Sequence, residues 1–169
     1  HNSNLSMKLV YGTADQVVSE MRKGTVDMTI LPTLKNEYGG EFDRYEDQFL
    51  MSDEMWLVGS GRDAGLPGKI ALKDINARPL VTYSASYPGF KRQLAKKVEE
   101  QKTAFNPTFE SDNVGTVKRV VEAGVGWGFM PSHSIKKQVR TRRLTHIHVE
   151  DMTYQTTIHL YSQRSPGIK

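Results

Sequence analysis

The chain has 169 residues, a formal net charge of +4, 37% hydrophobic residues and no cysteine. It can therefore form neither disulfides nor thiolate metal sites, and no apolar run approaches the roughly 20 residues of a membrane-spanning helix. No secretory signal is visible at the start, so the composition favours a soluble, cytoplasmic protein. The mild positive charge is compatible with a small anionic ligand or with nucleic acid.

The first part of the chain has the pattern of a strand, a helix and a second strand. Met7–Tyr11 (MKLVY) is apolar enough for a strand, and Thr13 suits the N-cap of a helix that runs through Lys23. Gly24 would end that helix, and Asp27–Leu31 (DMTIL) would form the second strand. A right-handed crossover would make the two strands parallel neighbours.

Thr33 follows this second strand directly. Ligands bind beyond the carboxyl ends of strands in open α/β sheets, so Thr33 is a candidate ligand contact, although a plain surface turn explains it equally well. Farther along, Phe49–Met51 and Met55–Val58 are predicted as two separate strands. Gly59–Gly68, with four glycines and one proline, is predicted as a loop or hinge.

A fifth strand is predicted at Pro79–Tyr83, followed by an amphipathic helix over Tyr87–Gln101. Thr82, Tyr83 and Ser84 lie at the end of this strand, just before the helix begins. The unpaired backbone N–H groups and the dipole at a helix start favour an anion, so these residues are candidate ligand contacts. Hydroxyls at such a point also serve simply as caps.

The most informative stretch runs from Glu110 to Ser132 (ESDNVGTVKRVVEAGVGWGFMPS). A strand over Thr108–Ser111 leads to residues that can cap a helix, among them Asn113, and valines then recur at helical spacing. Gly124 would end this helix in a left-handed conformation. The apolar, glycine-punctuated run from Val125 to Met130 is typical of a buried strand.

The last part of the chain is predicted as a helix followed by two strands. The helix would span Pro131–Val139 with Ser132 as its cap, and the strands would span Leu144–Val149 and Thr156–Tyr161. The strand predicted over Leu144–Val149 carries His146-x-His148, a pattern that can ligate zinc. Alternation also places both rings on the polar face of a half-exposed strand, and spacing defines no third ligand, so no metal site is assigned.

These residues resemble the effector-binding domain of LysR-type transcriptional regulators. The resemblance rests on the cap, the amphipathic helix ending in V-E-A-G, the pattern G-x-G-x-x-x-x-P, and the order of the other elements. It implies an α/β fold of the type 2 periplasmic-binding-protein kind, with two Rossmann-like subdomains and two crossovers. Residues 1–62 and 144–169 would form subdomain I, incomplete at both ends, and residues 63–143 subdomain II.

The resemblance also implies that a small, anionic organic effector binds in the cleft between the lobes. The effector-binding residues predicted from position and resemblance are Thr33, Thr82, Tyr83, Ser84, Ser111, Asn113, Trp127 and Met130. For Trp127 and Met130, a place in the core is as good an interpretation as a place in the cleft wall. Neither a cofactor nor a catalytic residue is predicted.

Two departures from the family pattern stand out. The further strand and long helix with which the family's domain begins, and its C-terminal helix, are not found. The winged helix-turn-helix that the family uses on DNA is also not found, so DNA binding would belong to another part of the parent protein. Members of the family pair side by side in an antiparallel dimer. The resemblance therefore implies that the parent protein is a homodimer or a tetramer, with the helix over Val114–Ala123 among the elements at the dimer interface.

Two other classes of function share this fold. One is a solute-binding protein of a transporter, which would need an export signal. The other is an enzyme, such as a deaminase-like or dehydratase-like homologue, which is disfavoured because no acid/base constellation stands out. The N-terminal part of the parent protein would distinguish the three, by a helix-turn-helix, a signal peptide or a further catalytic segment.

Overall fold

The computed structural model describes residues 4–34, 39–105 and 107–164. Within these ranges the α-helices are α1 (Ala14–Arg22), α2 (Pro88–Glu100), α3 (Val114–Glu122) and α4 (Ser132–Arg140). The strands are β1 (Met28–Pro32), β2 (Tyr45–Ser60), β3 (Lys69–Ile70), β4 (Leu80–Tyr83), β5 (Pro107–Ser111), β6 (Trp127–Pro131), β7 (Leu144–Val149) and β8 (Gln155–Gln163). Short 3-10 helices span Gly39–Arg44 and Leu72–Ala77.

Strand β2 is the spine of the molecule, because its 16 residues pair with different neighbours along their length. Its first part, Tyr45–Glu54, pairs antiparallel with β8, which in turn pairs antiparallel with β1. Its second part, Met55–Ser60, pairs antiparallel with β6 and β7. Strand β4 then lies between β6 and β5 and is parallel to both. One strand thus connects two regions of sheet.

Each region of sheet has its own apolar core. Around β1, β8 and the first part of β2, helix α1 buries Val18 and Met21 against Leu31 and Tyr161. Around β4 and β6, helices cover both faces of the sheet. On one face the core residues are Val58, Val81, Val117, Val121, Met130, Ile135 and Leu144. On the other face they include Leu72, Ile75, Phe90, Phe129 and Ile147.

The predicted helices are confirmed with small shifts at their ends. Thr13 caps α1 in a reciprocal capping box with Gln16. Asn113 caps α3 by accepting a hydrogen bond from the Thr116 N–H at 2.9 Å. Gly124 adopts φ of +84° after that helix, which is the left-handed conformation that the glycine was predicted to supply.

The predicted strand at Met7–Tyr11 is wrong. The segment pairs with no strand in the described part of the chain, and Met7 and Tyr11 are 74% and 88% exposed. Consequently β1 is not the parallel partner of an earlier strand and pairs antiparallel with β8 instead. An apolar segment becomes a strand only where a neighbour can take its backbone hydrogen bonds, and sequence alone does not show that neighbour.

Two further predictions are wrong in detail. Phe49–Met51 and Met55–Val58 are not separate strands, because β2 runs through both with a bulge between Phe49 and Met51. Ser132 does not cap α4: Pro131 occupies the N-cap position, and the Ser132 hydroxyl donates to Asp53 at 2.7 Å. In both cases the local pattern was misleading, because the partners that decide the structure lie far away in the sequence.

No helix among the described residues is long and apolar enough to span a membrane.

Candidate functional site

A cavity of about 520 Å³ opens beside the middle of β2, a size typical of small-molecule sites. It lies between the β2–β8 strand pair, the end of β1 and the start of α2. Its lining is mostly polar and consists of Thr33, Ser52, Asp53, Glu54, Gly89, Arg92, Tyr154, Gln155, Thr156 and Thr157.

Two strands bring the hydroxyl groups of one wall together. Thr157 of β8 lies opposite Ser52 of β2, and Thr156 lies opposite Asp53. The Thr33 N–H donates to the Thr157 carbonyl oxygen at 2.9 Å, which extends this pairing beyond the end of β1. The wall is therefore held by backbone hydrogen bonds, and its lining includes the hydroxyl-bearing residues Thr33, Ser52 and Thr157.

Asp53 is a carboxylate with only 2% of its surface exposed. The Ser132 hydroxyl and the His133 N–H donate to its Oδ1 at 2.7 and 3.0 Å, and His133 Nδ1 lies 2.6 Å from its Oδ2. The Tyr87 hydroxyl also donates to Oδ2. Burial alone would raise the pKa of Asp53, but the hydrogen bonds from His133, Tyr87 and Ser132 outweigh it and hold the pKa well below its usual range.

These contacts make Asp53 a junction between three elements. Ser132 and His133 begin α4, where a negative charge is favourable because of the helix dipole. Tyr87 immediately precedes α2, and burial together with the hydrogen bond to Asp53 raises the pKa of its hydroxyl, which stays a neutral donor. Asp53 therefore ties the middle of β2 to the starts of α2 and α4.

The second carboxylate of the cavity, Glu54, is also supplied with donors. Trp56 Nε1 donates to it at 2.7 Å and Gln155 Nε2 donates at 2.9 Å. These two hydrogen bonds lower the pKa of Glu54. Hydrogen bonds from protein donors thus hold both carboxylates in the ionised form.

The start of α2 contributes the positive side of the cavity. Pro88 and Gly89 form its first turn, and among the described residues no side chain caps it. Gly89 lines the cavity, and so does the guanidinium-bearing Arg92 one turn later. An open helix start next to an arginine is a suitable arrangement for a carboxylate.

Of the predicted effector contacts, the structure places Thr33 in the cavity wall. Tyr83, Ser84, Ser111 and Asn113 come together at another edge, where β4 and β5 end. There the Ser84 N–H donates to the Ser111 carbonyl oxygen at 3.0 Å, and the Asn113 N–H donates to Ser111 Oγ at 3.1 Å. Thr82 precedes them on β4, opposite Glu110.

Trp127 and Met130 lie in the core at the two ends of β6. Trp127 is 5% exposed and stacks against Arg78, whose guanidinium carbon lies 5.2 Å from the ring centre. Met130 is fully buried with Val58 and Val81. Both positions fit the core interpretation that the sequence left open.

The sequence did not point to Asp53, Tyr87, Arg92 or Thr157. Arg92 is exposed, as a charged residue of an amphipathic helix is expected to be, but it lies beside the cavity. The sequence held no clear signal for Asp53, because the polar triplet Ser52–Glu54 between two apolar runs is equally the pattern of a turn.

His146 and His148 do not form part of a metal centre in the described ranges, where no group of three metal-ligating side chains occurs. The His146 ring instead stacks on Trp56, with 4.4 Å between the ring centres. Burial lowers the pKa of His146.

Comparisons with known proteins agree with the fold. The chain resembles the apo regulatory domain of HypT from Salmonella typhimurium, with 18% identity and a TM-score of 0.76 over 100% of this chain and 78% of that chain. It resembles the effector-binding domain of QuiR in complex with shikimate, with 15% identity and a TM-score of 0.67 over 94% and 72%. It also resembles Vibrio fischeri DarR in complex with DNA, with 21% identity and a TM-score of 0.68 over 90% and 50%. No curated protein matches it.

A family model described as "LysR substrate binding domain" matches residues 1–166, almost the whole chain. The fold is therefore the α/β, type 2 periplasmic-binding-protein-like fold of that family, and the match gives no support to the transporter alternative. The family is a regulatory one and not a family of enzymes. The chain belongs to the LysR substrate-binding domains, the effector-binding part of LysR-type transcriptional regulators.

Proposed function

We propose that the effector is a small anionic organic molecule that binds in the cavity beside β2. The observation that carries this proposal is the pairing of an open helix start at Gly89 with Arg92 in one wall. A ligand carboxylate placed there would accept hydrogen bonds from backbone N–H groups and from the guanidinium. Asp53 and Glu54 already accept hydrogen bonds from protein donors, so neither carboxylate needs the ligand as a partner.

The opposite wall would bind the rest of the ligand. It carries the hydroxyls of Thr33, Ser52, Thr156 and Thr157. In the predicted division of the chain, Thr33 and Thr157 belong to subdomain I and Arg92 to subdomain II. A ligand that bridges the two walls would therefore bind one arrangement of the subdomains better than another, which is what a sensor requires.

We further propose that this shift is passed to a winged helix-turn-helix in the parent protein, which would act on DNA in the cytoplasm. The domain would sense its ligand without converting it. This proposal is supported by the engagement of both cavity carboxylates in structural hydrogen bonds, which leaves neither as a ready general base.

The remaining predicted contacts would form an outer rim of the site. Lys91, the residue before Arg92, donates through Nζ to the Ser84 carbonyl oxygen, which links the end of β4 to the first turns of α2. This hydrogen bond ties the Ser84 backbone to the helix that carries Arg92, and on that ground we propose Ser84 as a contact. Thr82, Tyr83, Ser111 and Asn113 would act with it, whereas Trp127 and Met130 would act through packing.

Replacing Arg92 by glutamine tests the proposed charge. A thermal-shift screen of organic, amino and aromatic acids would first supply a ligand, because a bound ligand raises the unfolding temperature. We expect Arg92→Gln to weaken that ligand's affinity about tenfold, the loss of one charge-assisted hydrogen bond. In the same calorimetric titration, Ser84→Ala should weaken it about fivefold without unfolding the domain.

The matched control for Arg92→Gln is Lys96→Gln, which removes the same charge one turn farther along α2, outside the cavity lining. It should leave the affinity unchanged. Equal losses in both variants would mean that only the general positive field matters. Unchanged affinity in Arg92→Gln would remove the carboxylate from this position.

We also propose that the parent protein is a homodimer or a tetramer. The support comes from β1, where Met28 and Ile30 point to the same face of the strand and are 64% and 65% exposed. Exposed apolar side chains on an edge strand favour a protein partner.

Sedimentation velocity should show dimers whose proportion rises with protein concentration, and Ile30→Lys should reduce that proportion. Monomer alone at high concentration would contradict the proposal for this chain.

A further inference from the structure

One wall of the cavity contains a chain of three hydrogen-bonded side chains, of which the effector proposal uses only Thr157. Thr157 and His159 are two residues apart on β8, so they lie on the same face of the strand. Thr157 Oγ1 lies 2.6 Å from His159 Nε2, and His159 Nδ1 lies 2.5 Å from Asp47 Oδ1 on the neighbouring strand β2. Thr157 lines the cavity, whereas His159 and Asp47 are not among the lining residues.

The position of the imidazole ring is fixed from several sides. Its edge meets the Phe49 ring, with 5.8 Å between the ring centres, and it stacks against Tyr161 at the same separation. The Tyr161 hydroxyl accepts the Leu34 N–H at 2.9 Å, which anchors that ring in turn. The charged and titratable groups facing the imidazole are thus Asp47 and, across the stack, Tyr161.

The proton positions follow from the chemistry of these groups. An ionised carboxylate only accepts hydrogen bonds, so the His159 nitrogen next to Asp47 must carry a proton. In a neutral ring the other nitrogen, Nε2, then has a lone pair and can only accept. With the ring neutral, the Thr157 hydroxyl donates its single proton to Nε2, which leaves only lone pairs on Thr157 Oγ1 for a ligand.

We propose that Thr157 is a fixed hydrogen-bond acceptor in the effector cavity, oriented by His159 and Asp47, and that it selects hydroxylated carboxylic acids. This inference rests on the proposed function, which places the carboxylate at Arg92 and Gly89. The ligand hydroxyl, at the other end of the molecule, donates to Thr157 Oγ1. An unrestrained threonine would accept or donate equally well and would not make this distinction.

The first test reads the proton positions without any ligand. Nitrogen-15 correlation spectra of the whole chain report which imidazole nitrogens carry protons. We expect the neutral His159 ring protonated on Nδ1, with Asp47→Ala removing that preference. A ring protonated on Nε2, or on both nitrogens, would overturn the inference, because Thr157 would then be free to donate.

The second test compares 3-hydroxybenzoate with benzoate, and shikimate with cyclohexene-1-carboxylate, by calorimetry. We expect the hydroxylated member of a pair to bind the natural chain about fivefold more tightly, the net value of one hydrogen bond. Thr157→Val should bring the ratio to about one, and Thr157→Ser should restore it.

The outcomes separate the two proposals. If both members of each pair bind equally to the natural chain, the selective acceptor is refuted while the carboxylate site stands. If no carboxylate binds, the proposed effector class is refuted and the inference with it. If the Thr157→Val variant keeps the preference, another residue of the cavity binds the ligand hydroxyl, and the assignment to Thr157 is wrong.

Discussion

Replacing Asp53 by alanine is expected to lower the free energy of unfolding by about 3 kcal/mol, because the change leaves the buried donors of its cluster without an acceptor. Ser132, the His133 N–H and Tyr87 all direct their protons to this one carboxylate. Their loss would loosen the junction between β2, α2 and α4. Urea unfolding followed by circular dichroism measures the change directly.

The matched control is Asp74→Ala, which removes an exposed carboxylate from the Leu72–Ala77 helix and should change stability by no more than about 0.5 kcal/mol. The pH dependence gives a second check. Because the folded state holds the pKa of Asp53 below its usual range, the stabilisation is present above the unfolded-state pKa of about 3.9 and is lost as the pH falls through the folded-state value.

The stability difference between the natural chain and Asp53→Asn should accordingly be largest near neutral pH and should shrink as the pH is lowered below about 4. A difference that does not change with pH would mean that the charge of Asp53 contributes nothing. A fully stable Asp53→Ala variant would show that the junction is not needed for folding.

Gly126→Ala is expected to have an effect of similar size for a different reason. A β-carbon at this position would lie 2.4 Å from the carbonyl oxygen of Pro79 and 2.9 Å from its carbonyl carbon. The backbone cannot yield there, because the same oxygen accepts the Trp127 N–H at 3.0 Å. We expect a loss of about 3 kcal/mol, at the upper end for overpacking.

Gly68→Ala is the control for this change, because a β-carbon at Gly68 meets no atom within 4 Å. Thermal unfolding of the two variants should therefore separate clearly, with Gly68→Ala close to the natural chain. Equal unfolding temperatures for all three proteins would mean that β6 can move away from Pro79 without cost. The glycine pattern before Pro131 would then have no packing basis.

The helices were predictable because their signals are local. The capping residue Asn113, the valine spacing of α3 and the left-handed Gly124 all lie within a dozen residues, so each can be recognised without knowledge of the rest of the chain. The type 2 periplasmic-binding-protein-like fold followed from the order of such local units. Strands were harder, because a strand depends on a partner elsewhere in the chain, as the unpaired Met7–Tyr11 segment and the continuous β2 show.

The candidate site was only partly predictable for the same reason. The strand-end rule pointed to Thr33, which lines the cavity. Thr157 and Arg92 could not be found in this way, since their place in the wall depends on the antiparallel register of β8 with β2 and on where α2 begins relative to that pair. The partners of Asp53 lie 34 to 80 residues away in sequence.

The location of the bound effector is the most direct test of this account. Amide chemical-shift changes should be followed in nitrogen-15 spectra while the best acid from the thermal-shift screen is titrated into the chain. The account predicts that the largest changes cluster at Thr33, Gly89 and Thr157, which line the cavity. Trp127 begins β6 and does not line the cavity. Shift changes that cluster around Trp127, with none at Thr33, Gly89 and Thr157, would contradict the account.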